Sequence, residues 1–293
     1  MNKFKTFTLL LGVLLLASTT SCKKDGVYTP SKKIQRVYIS STYTNKYLRQ
    51  SWDWDGKLIK DIKYYNSNGS LNWTADYSYE GQRVVRIDDY LNSEYTTFDY
   101  NGKHLKTVNY YYRNNLDASS DLTFKNNKLE NIMTTYYGTK GVGRNLMKTS
   151  FLPLPEDVCA IMDICLAKVF ENNESKSVGV INWKLTWDGN NISKIDASLG
   201  SEWIGISLQY DNKNCPLNGF YDLYSFVDDE IILDGGMMSY SKNNITKAVI
   251  NDSDGDNTIL TFTYQYDNNN YPIMRIQQLS DDGDYKYITY YEY

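Results

Sequence analysis

Phe98-Asp99-Tyr100-Asn101-Gly102, followed by Leu105 and Val108, is the stretch of sequence that decides the fold. An aromatic residue, a polar residue and a second aromatic alternate with period two, which predicts a strand with one apolar and one wet face. Asn-Gly then supplies the residue pair preferred in a tight hairpin turn. The aliphatic residues after the turn belong to a returning strand, so the stretch predicts a β-hairpin.

The same phrase recurs about eight times along the chain, at a period of roughly 21 to 30 residues. An aliphatic residue usually stands at the fifth and the eighth positions after the second aromatic. A second set of turns separates one copy from the next, so successive strands run antiparallel. The copies are centred on residues 52–54, 77–79, 98–100, 122–124, 185–187, 208–210, 238–240 and 264–266.

This repeat predicts an all-β fold, an antiparallel meander of roughly 16 to 18 strands within one domain. A sheet this wide rarely stays open, because closure removes its edge strands, so we expect a large barrel or a flattened barrel. Charged residues fall on both faces of the predicted strand 58–66, where Lys60 lies on one face and Asp61 and Lys63 on the other. Such a strand cannot face lipid, which favours a soluble barrel.

One stretch interrupts the repeat. After Pro153-Leu154-Pro155, apolar residues recur at the spacing of an amphipathic helix, with acidic residues in its first turn. We therefore expect one inserted helix, at about 153–171, whose apolar stripe packs on the concave aromatic face of the barrel. The residues of the stripe are Val158, Ile161, Met162, Cys165, Leu166 and Val169.

The N-terminus has the pattern of an export signal. Lys3 and Lys5 precede the apolar run 9–17, which is too short to cross a bilayer, and small residues lead to Cys22. We interpret 1–21 as a lipoprotein signal peptide, Cys22 as the lipidated first residue of the mature protein, 22–33 as a tether and 34–293 as a single β-barrel-like domain. The membrane, reached through lipid on Cys22, is then one partner.

Charge and cysteine content exclude two classes of protein. Removal of the signal, with Lys3 and Lys5, leaves 29 basic residues against 35 acidic ones, a net charge of −6. This balance argues against a nucleic-acid partner. After lipidation, Cys159, Cys165 and Cys215 form an odd set that allows one disulfide at most, so the protein is no disulfide scaffold.

The loose Ser21-Cys22 lipobox, the Tyr/Trp-Asp-Gly hairpins, the mid-chain Leu-Pro segment and the closing Tyr290-Tyr291-Glu292-Tyr293 together resemble a Bacteroidetes-type lipoprotein family of unknown function. The resemblance implies a porin-like β-barrel fold and an outer-membrane location, on the cell surface or on the periplasmic face. The hairpin phrase is also similar to the YD repeats of Rhs-type surface proteins. No activity is established for the lipoprotein family, so the resemblance implies no functional residues.

Catalytic and metal sites have little support in the sequence. His104 is the only histidine, and no nucleophile or orienting acid stands near it in the sequence, so we expect an exposed polar strand residue. Scattered cysteines and a lone imidazole argue against a metal site, and we expect no cofactor. The segments 252–256 and 281–284 fit Gly-containing turns better than calcium loops. No catalytic residue is assigned.

Aromatic residues are the remaining candidates for function. The 28 Tyr, 9 Phe and 6 Trp residues either fill the interior or line an open cleft suited to sugars and other flat ligands. We expect a non-catalytic binding or structural module of the cell envelope, with a glycan or an envelope protein as partner. The alternative is a carbohydrate-active hydrolase that uses a pair of carboxylates, whose separation a sequence cannot measure.

Overall fold

The computed structural model describes residues 24–41, 45–137, 179–199, 202–223, 236–253, 255, 257–279 and 286–293. Sixteen antiparallel strands form a closed barrel in which each strand pairs with the next along the chain and β1 pairs with β16. The strands are β1 Arg36–Ser40, β2 Tyr47–Asp55, β3 Leu58–Tyr65, β4 Leu71–Glu80, β5 Arg83–Asp89, β6 Glu94–Asn101, β7 His104–Tyr112, β8 Asn115–Lys125, β9 Lys128–Tyr136, β10 Gly179–Asp188, β11 Asn191–Leu199, β12 Glu202–Tyr210, β13 Ile245–Asp252, β14 Asn257–Tyr266, β15 Pro272–Leu279 and β16 Lys286–Glu292.

A β-bulge occupies the same place in every repeated hairpin. In the hairpin of β6 and β7 the register shifts between Asp99 and Tyr100, so that Phe98 pairs with Val108 and Tyr100 with Leu105. The extra residue on the returning strand keeps the fifth and the eighth positions on one face, although they are three positions apart, an odd spacing that would put them on opposite faces of a regular strand. Leu105 and Val108 are both fully buried as a result. The equivalent shifts in the other hairpins precede Trp54, Tyr79, Phe124, Trp187, Tyr210 and Tyr266.

The second aromatic of the phrase links one hairpin to the hairpin before it. The Tyr100 hydroxyl donates to the carbonyl of Val84 at 2.6 Å, and the Trp187 indole N–H donates to that of Leu129 at 2.7 Å. The Tyr210 hydroxyl donates in the same way to the Ile192 carbonyl at 2.6 Å. Tyr and Trp combine a large apolar ring with one polar hydrogen, which explains why they recur at this position.

One predicted hairpin is not formed. The segment around Met238-Ser239-Tyr240 was predicted to be a strand, but Gly236–Tyr240 is a short 3₁₀-helix. The strand β12 therefore pairs directly with β13, where Leu208 faces Ala248. Residues 211–244 are thus an insertion within one hairpin, which explains why the eighth position after Tyr210 holds Asn218 and no aliphatic residue.

Two chain segments cover the end of the barrel that carries the tight turns at Gly56, Gly81, Gly102 and Gly189, which we call the turn end. The N-terminal segment 24–34 is held there through backbone hydrogen bonds from Asp25 N to Lys103 O at 2.9 Å and from Val84 N to Gly26 O at 3.0 Å. Gly26 has φ +76°, and a Cβ atom on it would lie 2.0 Å from the Tyr100 hydroxyl oxygen. Only glycine fits at this contact.

The insertion supplies the second cover. Residues 217–223 enter the barrel, where the Tyr77 hydroxyl donates to the Tyr221 carbonyl at 2.8 Å and the Thr96 hydroxyl donates to the Leu223 carbonyl. The Tyr28 hydroxyl donates to the carbonyl of Pro216 at 2.7 Å, so the two covering segments also contact each other. Phe220, Tyr221 and Leu223 are buried.

The predicted fold class needs one correction. The barrel and its strand number are confirmed, but that prediction included one amphipathic α-helix, and the described residues contain no α-helix. The predicted range, 153–171, lies outside the described residues. In the described part of the chain, the packing on the inner aromatic face that we assigned to a helix comes from residues 24–34 and 217–223, because their apolar side chains meet that face directly.

Candidate functional site

The inward-facing aromatic rings do not form an open cleft in the described part of the barrel. Tyr64 and Trp73 stack face to face with ring centroids 3.6 Å apart, and each has 1 % of its surface exposed. Trp52 packs against Phe220 of the insertion at 4.9 Å. Of the two alternatives left open by the sequence, the described inner wall therefore matches the filled interior.

A groove of about 530 Å³ lies instead on the outer wall, across strands β8 to β12. One row of side chains runs across these strands, in which Asp121 pairs with Met133, Met133 with Asn182, Asn182 with Ser198, and Ser198 with Trp203. Adjacent strands are about 4.8 Å apart, so about 14 Å separates the backbones at Met133 and Trp203. The two large side chains flank a floor made of small polar ones.

Trp203 is an exposed aromatic ring on the wall of this groove. Its exposed fraction is 46 %, and that of Met133 is 44 %. A Cβ atom added to Gly205 would lie 3.3 Å from the Trp203 ring and 3.5 Å from the Asp196 carboxylate. The absence of a side chain at Gly205 therefore lets the indole lie over strand β12 while much of its surface stays open.

Polar groups suited to hydroxyl ligands surround the ring. A second row, next to the first, places Asn131 beside Lys184 and Lys184 beside Asp196. The Asp196 carboxylate lies 2.7 Å from the ammonium group of Lys194. Carboxylate, amide and ammonium groups offer both donors and acceptors, the combination that hydroxyl-rich ligands need.

A row of carboxylates crosses another part of the outer wall. Asp53, Asp61, Asp76 and Asp88 are direct cross-strand neighbours on β2, β3, β4 and β5. Burial raises the pKa of Asp76, and the nearby Asp61 and Asp88 carboxylates raise it further. Neighbouring strands hold these groups about 4.8 Å apart at the backbone. Within the described chain, this row places carboxyl groups of neighbouring strands side by side.

Basic side chains neutralise the flanking members of that row. The Lys63 ammonium group lies 2.9 Å from the Asp53 carboxylate and 3.3 Å from that of Asp61. The hydrogen bond from Lys63 lowers the pKa of Asp53. Arg86 contacts the Asp88 carboxylate at 2.5 Å. These ion pairs account for the close spacing of the acids without a bound ligand.

His104 is less exposed than the sequence suggested. Its side chain is 23 % exposed, and its ring stacks on Phe124 with centroids 4.1 Å apart. Nδ1 lies 3.2 Å from the Asp25 carboxylate, and Nε2 lies 3.4 Å from the Asn127 amide oxygen. An orienting acid is thus present although the sequence did not indicate one. The described contacts of the ring include no hydroxyl or thiol nucleophile.

The other residues considered from the sequence fall in different places. Cys22, Cys159 and Cys165 lie outside the described residues, and Cys215 is half-buried in the insertion. No group of three or more potential metal ligands occurs among the residues that the structure describes. Within the same residues, no helix has the length and apolar character needed to cross a membrane.

Sequence reasoning missed the groove, although a signal for it exists. In Trp203-Ile204-Gly205-Ile206, the buried Ile204 and Ile206 place Trp203 on the opposite, outer face. Trp is enriched at binding surfaces relative to the rest of a protein surface, so this outward position is a candidate for binding. What the sequence could not show is that Met133, from a distant segment, lies on the other side of the groove.

Comparisons with known proteins support the fold. The chain is similar to a porin-like protein from Bacteroides vulgatus, with 13 % identity, a TM-score of 0.54, and coverage of 89 % of this chain and 98 % of that one. It is also similar to a porin-like protein from Bacteroides uniformis, with 10 % identity, a TM-score of 0.52, and coverage of 92 % and 99 %. No family model and no curated protein matches the chain. The barrel is therefore porin-like in its fold.

Proposed function

We propose that the protein is a lipid-anchored module of the cell envelope that binds glycans, or other flat hydroxyl-rich ligands, in the groove between Met133 and Trp203. The observation that carries the proposal is the exposed Trp203 ring beside amide and carboxylate side chains. A flat ring face can stack on the apolar face of a sugar, while the polar neighbours bind its hydroxyl groups.

The charged side chains on the outer wall favour a barrel that lies in water. Charged side chains occupy the central parts of strands on this wall, including Asp61, Asp76 and Lys184. A charge at the middle of a lipid-facing strand is costly, about 2 to 4 kcal/mol for a lysine. The filled interior agrees with a binding module more than with a channel.

A glycan array tests the binding proposal. The wild-type protein should bind a subset of envelope glycans, and Trp203→Ala should weaken that binding at least tenfold, roughly the effect of losing one aromatic stacking contact. Tyr90→Ala is the matched control, because Tyr90 is 74 % exposed and lies outside the groove. Equal binding by both variants, or binding by none of the proteins, would contradict the proposal.

The anchor needs its own experiment. Replacing Cys22 with Ala should abolish metabolic labelling with a fatty acid and release the protein from the membrane fraction. Equal labelling of the parent and the variant would show that Cys22 is not the acylated residue. Protease treatment of intact cells then distinguishes the outer surface from the periplasmic face.

The carboxylate row supports a second candidate, a hydrolase that acts on envelope glycans. A carboxyl group whose pKa is raised beside other carboxyl groups is the arrangement that glycosidases use for acid catalysis, and Asp76 lies in this way between Asp61 and Asp88. Turnover of a glycan that is lost in Asp76→Asn and retained in Asp53→Asn would establish this activity. Binding without turnover would favour the non-catalytic module.

A further inference from the structure

The N-terminal segment determines where an anchor on Cys22 would attach to the barrel. Asp25 is fixed at the turn end, through its backbone to Lys103 and through its carboxylate to the Leu105 N–H at 2.8 Å. Cys22 and Asp25 are only three positions apart in the chain. An extended chain spans at most about 3.6 Å per residue, so three positions bridge at most about 11 Å.

Basic side chains are concentrated around this attachment point, although the chain as a whole has a net charge of −4. The hairpin turns at the turn end carry five basic residues, Lys57, Arg83, Lys103, Lys125 and Lys128, against three acidic ones, Asp55, Glu80 and Asp188. The Lys125 side chain is 70 % exposed, and its ammonium group lies 3.5 Å from the Glu130 carboxylate. These turns therefore carry a net positive charge beside the point where the chain leads to Cys22.

Two of these basic side chains are held in place by hydrogen bonds. Arg83 donates to the carbonyl of Gly102 at 2.7 Å, and Lys128 donates to the carbonyl of Gly189 at 2.7 Å. Each cation thus bridges its own hairpin to the next one along the barrel edge. These contacts keep the positive charges in the plane of the turns.

We propose that the turn end lies against the membrane surface, with anionic lipid headgroups next to its basic hairpins and with the opposite end directed away from the bilayer. This orientation rests on the proposed anchor at Cys22. The short span from Cys22 to Asp25 limits the distance between the turn end and the bilayer, and the lysines favour contact with anionic headgroups. The attraction is electrostatic, so it weakens as salt screens it.

For the test, a lipid is coupled chemically to Cys22. The protein used lacks residues 1–21 and carries Ser in place of Cys159, Cys165 and Cys215, so that Cys22 is its single thiol. Circular dichroism verifies its β-sheet content. The conjugate is placed on phosphatidylglycerol/phosphatidylcholine vesicles or on phosphatidylcholine alone. Lysine acetylation is then measured by mass spectrometry. We expect acetylation of Lys57, Lys103 and Lys125 to be about fivefold slower on the vesicles that contain phosphatidylglycerol than on phosphatidylcholine alone. Lys46 and Lys286, near the opposite end, should react at an unchanged rate.

A pair of charge-matched variants completes the experiment. In the first variant, Lys103→Glu with Lys125→Glu, the vesicles should no longer slow the acetylation of Lys57. In the second, Lys46→Glu with Lys286→Glu, they should slow it as in the parent protein. Equal protection at both ends, or protection at Lys46 and Lys286 alone, would overturn the proposed orientation. Because the lipid is attached chemically, this result is independent of whether cells acylate Cys22.

Discussion

The Nδ1 atom of His104 lies 3.2 Å from the carboxylate of Asp25, a residue that is 79 positions earlier in the chain. The same carboxylate accepts the backbone N–H of Leu105 at 2.8 Å. Asp25 therefore joins the segment that we predicted to be a tether to the first residues of β7. The lone histidine helps to hold the N-terminal segment on the barrel.

Removing the Asp25 carboxylate should loosen this segment. We expect Asp25→Ala to cost about 1 to 3 kcal/mol in the free energy of unfolding, because the N–H of the buried Leu105 then lacks its acceptor. Urea unfolding measures the cost, and trypsin should cleave faster at Lys32 and Lys33. Asp55→Ala, at the exposed last residue of β2, is the control and should change stability by less than about 0.5 kcal/mol. Equal effects of the two variants would contradict the assigned role of Asp25.

The two faces of the barrel should respond differently to the same substitution. We expect Trp73→Ala to cost about 3 to 5 kcal/mol, because it removes a buried ring that stacks on Tyr64. Trp203→Ala, on the outer wall, should cost less than about 1 kcal/mol. Chemical denaturation of both variants checks the difference. A large loss for Trp203→Ala would mean that this ring is structural, which would weaken the groove as a binding site.

A side chain at Gly205 should disturb the groove and leave the barrel intact. The new Cβ atom would lie 3.3 Å from the Trp203 ring, so Gly205→Val should push the indole off strand β12. We expect at least a tenfold loss of glycan affinity with a change in unfolding free energy below about 1 kcal/mol, because valine favours strands. Calorimetric titration and urea unfolding measure both quantities. Unchanged affinity would show that the ligand does not use this wall of the groove.

The raised pKa of Asp76 determines how this residue changes the stability of the protein with pH. Its pKa is raised above 3.8 in the folded protein by burial and by neighbouring carboxylates. As pH rises past 3.8, the unfolded chain loses this proton more readily than the folded protein, so stability falls. Asp76→Asn should therefore be more stable than the parent at pH 7, by less than about 1 kcal/mol, and equal to it below pH 3.8.

Urea unfolding at several pH values measures this difference, with Asp99→Asn as the control at an exposed strand position. Lower stability of Asp76→Asn at pH 7 would show that the ionised carboxylate is stabilised in the folded protein. The compensating positive charge would then come from Lys60 and Lys63, the two cations that lower the pKa of Asp76.

Much of the barrel follows from the sequence because each hairpin is a local structure. Phe98, Tyr100, Leu105 and Val108 are separated by at most ten residues, and the turn between them is formed by Asn101-Gly102. The odd spacing of the two aliphatic positions is itself the signature of the bulge. The meaning of that spacing becomes clear only once Tyr100 is seen opposite Leu105.

Prediction failed where a local pattern competed with pairing between distant segments. Met238-Ser239-Tyr240 alternates like the other phrases, yet β12 pairs with β13 and leaves this segment as a 3₁₀-helix. Alternation identifies residues able to form a strand, but it does not identify the neighbouring strand that must supply the hydrogen bonds.

The sequence by itself determined the hairpins, their turns and the inward aromatic face, because period-two patterning and turn residues act over about ten residues. Closure of β1 on β16, the place of the N-terminal segment and the groove were decided only by the tertiary structure. Met133 and Trp203 are 70 positions apart, and Asp25 and His104 are 79 apart. Such contacts depend on how the sheet closes, and no local pattern of residues records that geometry.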